Sequence, residues 1–391
     1  MFVFLIIALG IYGLVNFYIL RRGGQALRGY PAPRIWFFAI MGFLILAYPA
    51  GRVLAIAGRG AITGMLVRTG SFYMALMLHL FFILVVVDLF RLMNAVVRFF
   101  PRAITVHPER TGLIAFIIGM GISVGVLAGG YVNALHTRLK TLDIRIEKPV
   151  GAGLGRLNVV MASDIHLGTI MGGRRLEAIV ERINGLNPDI VVLPGDIVDE
   201  SVSPAEEEKM ASALQGIKAP LGVYSVTGNH EYYGGLAKNL EYLQRGGIRV
   251  LQDEAVLIGE AFILAGRKDP SGLRHHEPRK SIGAILDGAG FDRKLPVILL
   301  DHQPVRLEEA QNAGVDLQLS GHTHAGQLFP LNLINKKVWE QYWGYLRKGT
   351  TQYYVSCGVG TWGPPVRTGS VPEIVLIRIE FGSAPEAHER K

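Results

Sequence analysis

The sequence predicts a multi-span α-helical membrane domain followed by an α/β domain. Half of the 391 residues are hydrophobic, and four long apolar segments fill the first third of the chain. From residue 156 onwards, short apolar runs alternate with helical and polar stretches, a pattern typical of an α/β domain. We therefore expect a four-helix transmembrane domain, a linker, an α/β domain and a polar tail over residues 1–135, 136–155, 156–382 and 383–391.

Each of the four apolar segments is about as long as a helix that crosses the hydrocarbon core of a bilayer. They span residues 1–20, 35–57, 72–90 and 113–132. The first lacks the basic n-region of a signal peptide and is followed by Arg21 and Arg22, which predicts a retained helix. A soluble helical core is the alternative, but short arginine-bearing loops between the segments favour a membrane domain.

The arginines of the membrane domain also predict its orientation. The first and third loops hold eight arginines and the second loop holds three: Arg21, Arg22, Arg28, Arg34, Arg91, Arg98, Arg102 and Arg110, against Arg52, Arg59 and Arg68. Because cytoplasmic loops are enriched in basic residues, we expect a multi-pass protein of the cell membrane whose α/β domain is extracytoplasmic. Four basic residues just after the fourth segment lie on the same predicted side as the second loop. With them, the count is eight basic residues on the cytoplasmic side against seven on the other.

The positive charge of the protein belongs to the membrane domain alone. The net charge of the whole chain is +8, but residues 1–135 hold eleven arginines and only Asp88 and Glu109 as acidic residues, a net charge of +9. The remainder is nearly neutral, so we expect no nucleic-acid partner. Asp88 lies three residues before Arg91 near a helix end, which predicts a local ion pair at the membrane interface.

The order of elements after residue 156 predicts a parallel sheet covered by helices. Strands are expected at 157–163, 189–193 and 222–227, with helices at 174–184 and 204–215 between them. Residues 246–266 contain three short β-like runs, which predicts an antiparallel contribution to a second sheet. Further strands are expected at 297–300, 317–319, 352–356 and 373–380. The single cysteine, Cys357, directly follows the third of these and is expected to be buried.

Five apolar strands each lead into a turn that carries metal-ligand side chains. In chain order these are Asp164 and His166, Asp196 and Asp199, Asn229 and His230, His302, and His322 with His324. Strand ends of one α/β domain meet at a common edge, so we expect the turns to converge. Carboxylate, amide and imidazole ligands without thiolate suit manganese, iron or zinc. Two such ions about 4 Å apart can activate water for hydrolysis of a phosphoester, with Asp196 as the expected bridge.

These turns resemble the ordered motifs of the calcineurin-like metallophosphoesterases. The resemblance rests on Asp164-Ile-His166, Gly195-Asp196-Ile-Val-Asp199, Gly228-Asn229-His230-Glu231, His302 and Gly321-His322-Thr-His324. It covers Leu157 to Phe381, and Ala325-Gly326-Gln327 resembles the membrane-associated bacterial branch of the family. The resemblance implies an α/β/β/α sandwich of two facing mixed sheets, flanked by helices, with a two-metal site.

The resemblance also implies roles for individual residues. One ion would be held by Asp164, His166, Asp196 and His324, and the other by Asp196, Asn229, His302 and His322. His230 would protonate the leaving group. Asp199 is interpreted as a structural acceptor for its turn, and Asp301 either as a residue that orients a histidine or as a carboxylate facing water. Arg367, with Arg267, His275 and His276, is a candidate contact for a substrate anion, although surface charge is the simpler interpretation.

The function that follows is a membrane-anchored, metal-dependent phosphohydrolase. Its expected substrate is a phosphorylated small molecule or a lipid or cell-envelope compound with a phosphoester or pyrophosphate bond, cleaved at the bilayer. The alternative is a transporter or sensor whose α/β domain binds metal without turnover. A complete set of seven ligand positions favours the enzyme, because a non-catalytic module would be expected to have lost some of them.

Overall fold

The computed structural model divides the chain into two compact units. The described residues are 2–58, 60–150, 154–199 and 204–382. The predicted polar tail and part of the predicted linker, residues 383–391 and 151–153, lie outside them. The membrane unit consists of Met1–Val132 together with Gly363–Thr368, and the α/β unit consists of Asn133–Trp362 and Gly369–Lys391.

The membrane unit contains four helices that are long and apolar enough to cross a bilayer. These are α1 (Phe2–Ala26), α2 (Pro31–Ala57), α3 (Ala61–Val97) and α5 (Pro108–Leu135), with the one-turn α4 (Arg102–Thr105) before the last. Ile19, Met41, Tyr73 and Leu80 form part of a buried cluster between the helices. Many other large apolar side chains, such as Ile56 and Leu14, are exposed on the outside of the helices, as lipid-facing positions require.

The α/β unit is built on two six-stranded sheets. The first has the order β1-β12-β2-β3-β4-β5 and the second β10-β11-β9-β8-β7-β6. The first-sheet strands are β1 (Arg138–Ile146), β12 (Glu373–Phe381), β2 (Arg156–Met161), β3 (Ile190–Leu193), β4 (Val223–Ser225) and β5 (Arg249–Val250). The second-sheet strands are β10 (Gly344–Lys348), β11 (Thr351–Val355), β9 (Leu317–Ser320), β8 (Val297–Leu300), β7 (Phe262–Gly266) and β6 (Glu254–Ile258).

The two sheets face each other across a common apolar core, and helices cover their outer faces. Val159 and Met161 of the first sheet share one buried cluster with Leu264 and Leu300 of the second. The helices are α6 (Gly173–Asn184), α7 (Pro204–Gln215), α8 (Asn229–Tyr233), α9 (Leu236–Arg245), α10 (Ile282–Ala289), α11 (Glu308–Asn312) and α12 (Leu331–Val338). Helices α6, α7 and α9 bury apolar side chains against the first sheet, and α10 and α11 against the second. The α/β/β/α sandwich is therefore confirmed.

The strand directions agree with the sequence prediction in most places. Strands β2, β3 and β4 pair in parallel, and β6 and β7 pair antiparallel in the second sheet. The first β-like run after residue 246 differs, because β5 pairs in parallel with β4 and extends the first sheet. Cys357 is fully buried, as expected.

Candidate metal centre

The sandwich brings five turns together because the strands before them are parallel within each sheet. Strands β2, β3 and β4 run in parallel in the first sheet, and β8 and β9 run in parallel in the second. The turns are also joined directly by backbone hydrogen bonds. The N–H of Asp164 donates to the carbonyl of Gly195 at 3.2 Å, and the N–H of Gly321 donates to the carbonyl of His302 at 2.9 Å.

Five of the candidate ligand residues have a left-handed backbone conformation. Their φ angles are 54° at Asp164, 56° at His166, 51° at Asp196, 71° at His322 and 48° at His324. Such angles cost non-glycine residues on the order of 1–3 kcal/mol each, and they persist only where the surrounding structure holds them. Backbone strain is therefore concentrated in the turns that carry the candidate ligands.

The first group of potential ligands comprises Asp164, His166 and His324. Nε2 of His166 lies 2.9 Å from Nε2 of His324, which in turn lies 3.6 Å from Oδ1 of Asp164. The two imidazole nitrogens face each other, so only one of them can carry a hydrogen toward the other. All three side chains are at least nine-tenths buried. A shared cation suits this donor set, because buried nitrogens and a buried carboxylate all offer lone pairs to one point.

The second group comprises Asp196, His302 and His322, with Asn229 beside them. Nδ1 of His302 donates to the carbonyl oxygen of Pro194 at 2.7 Å, which leaves the lone pair on Nε2. That Nε2 is buried and has no hydrogen-bond partner among the described residues; its contact with Oδ2 of Asp196 at 3.1 Å lacks hydrogen-bond geometry. Nδ1 of His322 lies 2.9 Å from Oδ1 of Asn229. An imidazole fixed by its other nitrogen and aimed at a carboxylate fits a metal ligand.

Asp196 lies between the two groups. Its Oδ2 is 3.1 Å from Nε2 of His302 and 3.9 Å from Nε2 of His166, and its Oδ1 accepts the backbone N–H of His230 at 2.9 Å. Burial opposes ionisation of this carboxyl group, but electrostatic attraction from His302 and the neighbouring histidines holds its pKa well below the usual range. Asp196 therefore remains a carboxylate in a position that contacts both groups.

His230 is held by Asp199 at the edge of the site. Nδ1 of His230 lies 2.6 Å from Oδ1 of Asp199, and the His230 ring packs edge-on against the His166 ring at 4.7 Å. Burial acts to lower the pKa of His230, but the hydrogen bond with Asp199 outweighs it and raises the pKa to about 9. The carboxylate of Asp199 contacts His230, and a role for Asp199 as a structural acceptor for its own turn stays a prediction.

Comparison with known proteins places these observations in a family. The sequence model for the calcineurin-like phosphoesterase family matches residues 157–326. An uncharacterized metallophosphoesterase of Aquifex aeolicus is 37% identical over 262 residues, which cover 66% of this chain and 98% of that protein. This chain belongs to the calcineurin-like phosphoesterase family. The α/β unit is therefore a phosphoesterase domain of the hydrolase class, from a family that uses divalent metal ions.

Relatives of this phosphoesterase also include membrane proteins. An uncharacterized metallophosphoesterase of Campylobacter jejuni is 28% identical over 384 residues, covering 97% of this chain and 98% of that protein. A zebrafish protein named transmembrane protein with metallophosphoesterase domain is 35% identical, and the match covers 67% of this chain and 62% of that protein. Together with the four apolar helices, these relatives support a membrane protein with a phosphorylated substrate.

Glu231 is a residue of the phosphoesterase domain to which the sequence analysis gave no role. Its carboxylate is fully buried and accepts four backbone N–H groups, those of Asp196, Ile197, Val198 and Gly228, at 2.7–3.0 Å. Through these hydrogen bonds, Glu231 links the turn that carries Asp196 to the turn that carries Asn229. The spacing from Gly228 to Glu231 is that of a helix capping box, a signal that could have identified it.

The remaining candidates belong to neither ligand group. Asp301 is buried and forms ion pairs with Arg267 at 3.4 Å and Arg279 at 3.2 Å, so it neither orients a histidine nor faces water. Burial raises the pKa of Asp301 to about 6, although both arginines oppose the shift. The surface interpretation is wrong for Arg267 and Arg367, which are 5% and 0% exposed, and Arg367 belongs to the membrane unit. His275 is exposed.

Two exposed aromatic side chains of the phosphoesterase stand beside His230. The rings of Tyr233 and Trp362 lie 5.5 Å and 6.1 Å from the imidazole, and the two residues are 58% and 56% exposed. Neither was singled out from the sequence. Aromatic side chains beside a polar site provide apolar area for the part of a substrate that does not react.

Proposed function

We propose that this phosphoesterase is a membrane-anchored phosphohydrolase that uses two divalent ions to cleave a phosphoester or pyrophosphate bond. Manganese, iron and zinc are the candidate ions, because the donors are carboxylates, an amide and imidazoles without thiolate. One ion would be held by Asp164, His166, Asp196 and His324. The other would be held by Asp196, Asn229, His302 and His322.

The observation that carries the proposal is the position of Asp196 between two groups of buried ligands. Nε2 of His302 is a buried nitrogen without a hydrogen-bond partner among the described residues, and Nε2 of His166 faces Nε2 of His324 at 2.9 Å. Such nitrogens are costly unless they bind something. When bound, paired ions in this family hold the phosphate and supply a nucleophilic water at neutral pH.

His230 is proposed to donate the proton to the leaving group. Asp199 fixes the ring through Nδ1, which leaves Nε2 to face the substrate. The side chain of His230 remains 12% exposed at the edge of the site, so it is accessible to a bound phosphoester. Asp199 is therefore proposed as a positioning residue, acting through His230.

A substrate with an apolar portion at the bilayer suits this site. Tyr233 and Trp362 present exposed rings next to the proposed proton donor. A phosphorylated lipid or cell-envelope compound would place its phosphate at the ions and its apolar portion against these rings. We propose this class over a nucleic-acid substrate because residues after 135 carry no excess of positive charge.

Hydrolysis assays with matched metal analysis test the proposal. Full-length protein in detergent would be assayed with chromogenic monoesters and diesters, nucleotide sugars and phospholipids, and its metals counted by mass spectrometry. We expect two divalent ions per chain in active protein and loss of at least about 10²-fold of the activity in Asp196→Asn. Asp287→Asn, which alters an exposed carboxylate on α10, is the control. Two bound ions without turnover of any substrate would instead favour a regulatory metal-binding module.

We also propose that the protein crosses the membrane four times with the phosphoesterase domain on the extracytoplasmic side. The arginine-rich first and third loops support this orientation. Protease added to intact cells should then cleave the phosphoesterase domain, while cleavage only after membrane permeabilisation would reverse the orientation.

A further inference from the structure

A cavity of about 590 Å³ lies within the membrane unit, at the end where α1 and α3 finish and α5 begins. Leu84, Val87, Ala115 and Phe116 give it apolar walls. Arg22, Arg28 and Arg91 contribute guanidinium groups to the same lining. Its volume is in the range of pockets that hold small molecules or lipid headgroups. The cavity is thus amphipathic, and its lining belongs entirely to the membrane unit.

The charged groups of the cavity are arranged around one carboxylate. Asp88 accepts a hydrogen bond from the Tyr18 hydroxyl at 2.5 Å, forms an ion pair with Arg22 of α1 and lies 3.5 Å from Arg91. The predicted pair between Asp88 and Arg91 is therefore one part of a larger network. One carboxylate cannot neutralise two guanidinium groups, so this network retains a positive charge.

The lining as a whole also has a net positive charge. It contains three arginines and two carboxylates, those of Asp88 and Glu109. Glu109 lies in the first turn of α5, where the helix dipole favours a negative charge. Arg28 lies outside the Asp88 network, is exposed and adds its charge to the lining.

One guanidinium group of the lining has a donor without a partner among the described residues, and another lies beside a glycine. Nε of Arg22 is buried and donates to no described residue, although the other nitrogens of this guanidinium are engaged by Asp88 and Gln25. A Cβ added at Gly112 would lie 3.6 Å from an Nη atom of Arg91, so α5 presents only backbone beside that guanidinium. Planar guanidinium groups with free donors bind phosphate oxygens in pairs of hydrogen bonds.

We propose that this cavity is a phosphate-binding site separate from the metal centre. Arg22, Arg28 and Arg91 bind the phosphate anion, and the apolar walls accept the carbon skeleton attached to it. Charged side chains at the ends of membrane helices are costly unless they are paired or functional, and basic pockets between such helices suit anionic headgroups. The phosphate can belong to a membrane lipid or to a soluble compound, which share this chemistry.

Lipid titration of the full-length protein tests the site. Native mass spectrometry in neutral detergent would count bound phosphatidylglycerol, phosphatidylcholine and inorganic phosphate. The double variant Arg28→Gln/Arg91→Gln removes two charges from the lining. Arg102→Gln/Arg110→Gln removes two charges from α4 and α5 at positions outside the lining and is the matched control.

We expect the unaltered protein to bind phosphatidylglycerol roughly tenfold more tightly than phosphatidylcholine, as loss of a charge-assisted contact would suggest. The lining variant should lose that preference and the control should keep it. Competition by millimolar inorganic phosphate would assign the site to soluble phosphates, and its absence to a lipid headgroup. Equal binding of the two lipids by the unaltered protein, with no binding of inorganic phosphate, would overturn the proposal, and this comparison needs no variant to fold. Equal losses in both double variants would overturn it too.

Discussion

The carboxylate of Asp199 lies 2.6 Å from the imidazole of His230, and this contact can be tested with two classes of substrate. We expect Asp199→Asn to lower kcat by roughly 10–100-fold. General acid catalysis contributes about 10²–10⁴-fold, and the variant keeps His230 but loses the contact that orients its ring. The loss should be large for alkyl phosphoesters and small for nitrophenyl esters, whose leaving groups need no proton. Steady-state kinetics on both substrates, with metal content measured alongside, checks this. A uniform loss on both substrates would argue for a structural role.

Glu231 offers a second single-residue test. Its buried carboxylate accepts four backbone N–H groups from two turns. Glu231→Gln keeps the shape but replaces one acceptor oxygen by a donor, leaving buried N–H groups unpaired at a cost of about 1–3 kcal/mol. We expect a lower unfolding temperature and a lower metal content. Glu241→Gln on helix α9, a position outside the site, is the control for calorimetry, and equal unfolding temperatures in both variants would contradict the proposed role.

At the scale of an element, the turn after β9 depends on a glycine that a larger residue cannot replace. A Cβ added at Gly321 would clash with Oγ of Ser163 and Oδ2 of Asp164. The turn therefore brings its backbone against a candidate metal ligand.

Two glycine-to-alanine variants separate this contact from a general effect of the substitution. Gly321→Ala should displace Asp164 and reduce metal content and hydrolysis by at least about tenfold, since overpacking a buried site costs about 1–3 kcal/mol. Gly283→Ala lies inside α10, where an added Cβ meets nothing within 4 Å. It should leave activity unchanged and stabilise the protein by up to about 1 kcal/mol. Metal analysis and chemical denaturation of both variants measure the difference.

The elements differ in how readily the sequence reveals them. Strands such as β3 and β8 are uninterrupted runs of buried aliphatic residues, so they could be predicted directly. Helix α10 contains two glycines, which weaken its local helix signal. The ligands could be found because each follows an apolar strand. The burial of Arg267 could not, because its partner Asp301 is distant in the sequence.

For the whole molecule, bound ions should contribute to stability as well as to chemistry. Asp164 and Asp196 are 0% and 2% exposed, and two buried carboxylates repel each other unless cations lie between them. We expect a strong chelator to abolish hydrolysis and lower the unfolding temperature of the phosphoesterase domain by roughly 5–10 °C, as release of a tightly bound ligand predicts. Scanning calorimetry with and without chelator measures the shift. If the chelator lowered the unfolding temperature of Asp196→Asn by the same amount, its effect would not come from ions bound at this site.

Residues 363–368 belong to the membrane unit although they follow the phosphoesterase strands in the sequence. His79 of α3 lies 2.9 Å from the Thr368 hydroxyl, and the N–H of Arg367 donates to the carbonyl of Gly130 on α5 at 3.0 Å. Val366 and Arg367 are both 0% exposed. Cleavage of the chain near residue 135 would therefore separate residues 363–368 from the helices that bury them, and would not release a stable, water-soluble enzyme. The released fragment would expose the buried side chains of Val366 and Arg367, which makes shedding from the bilayer unfavourable and recombinant truncation prone to aggregation.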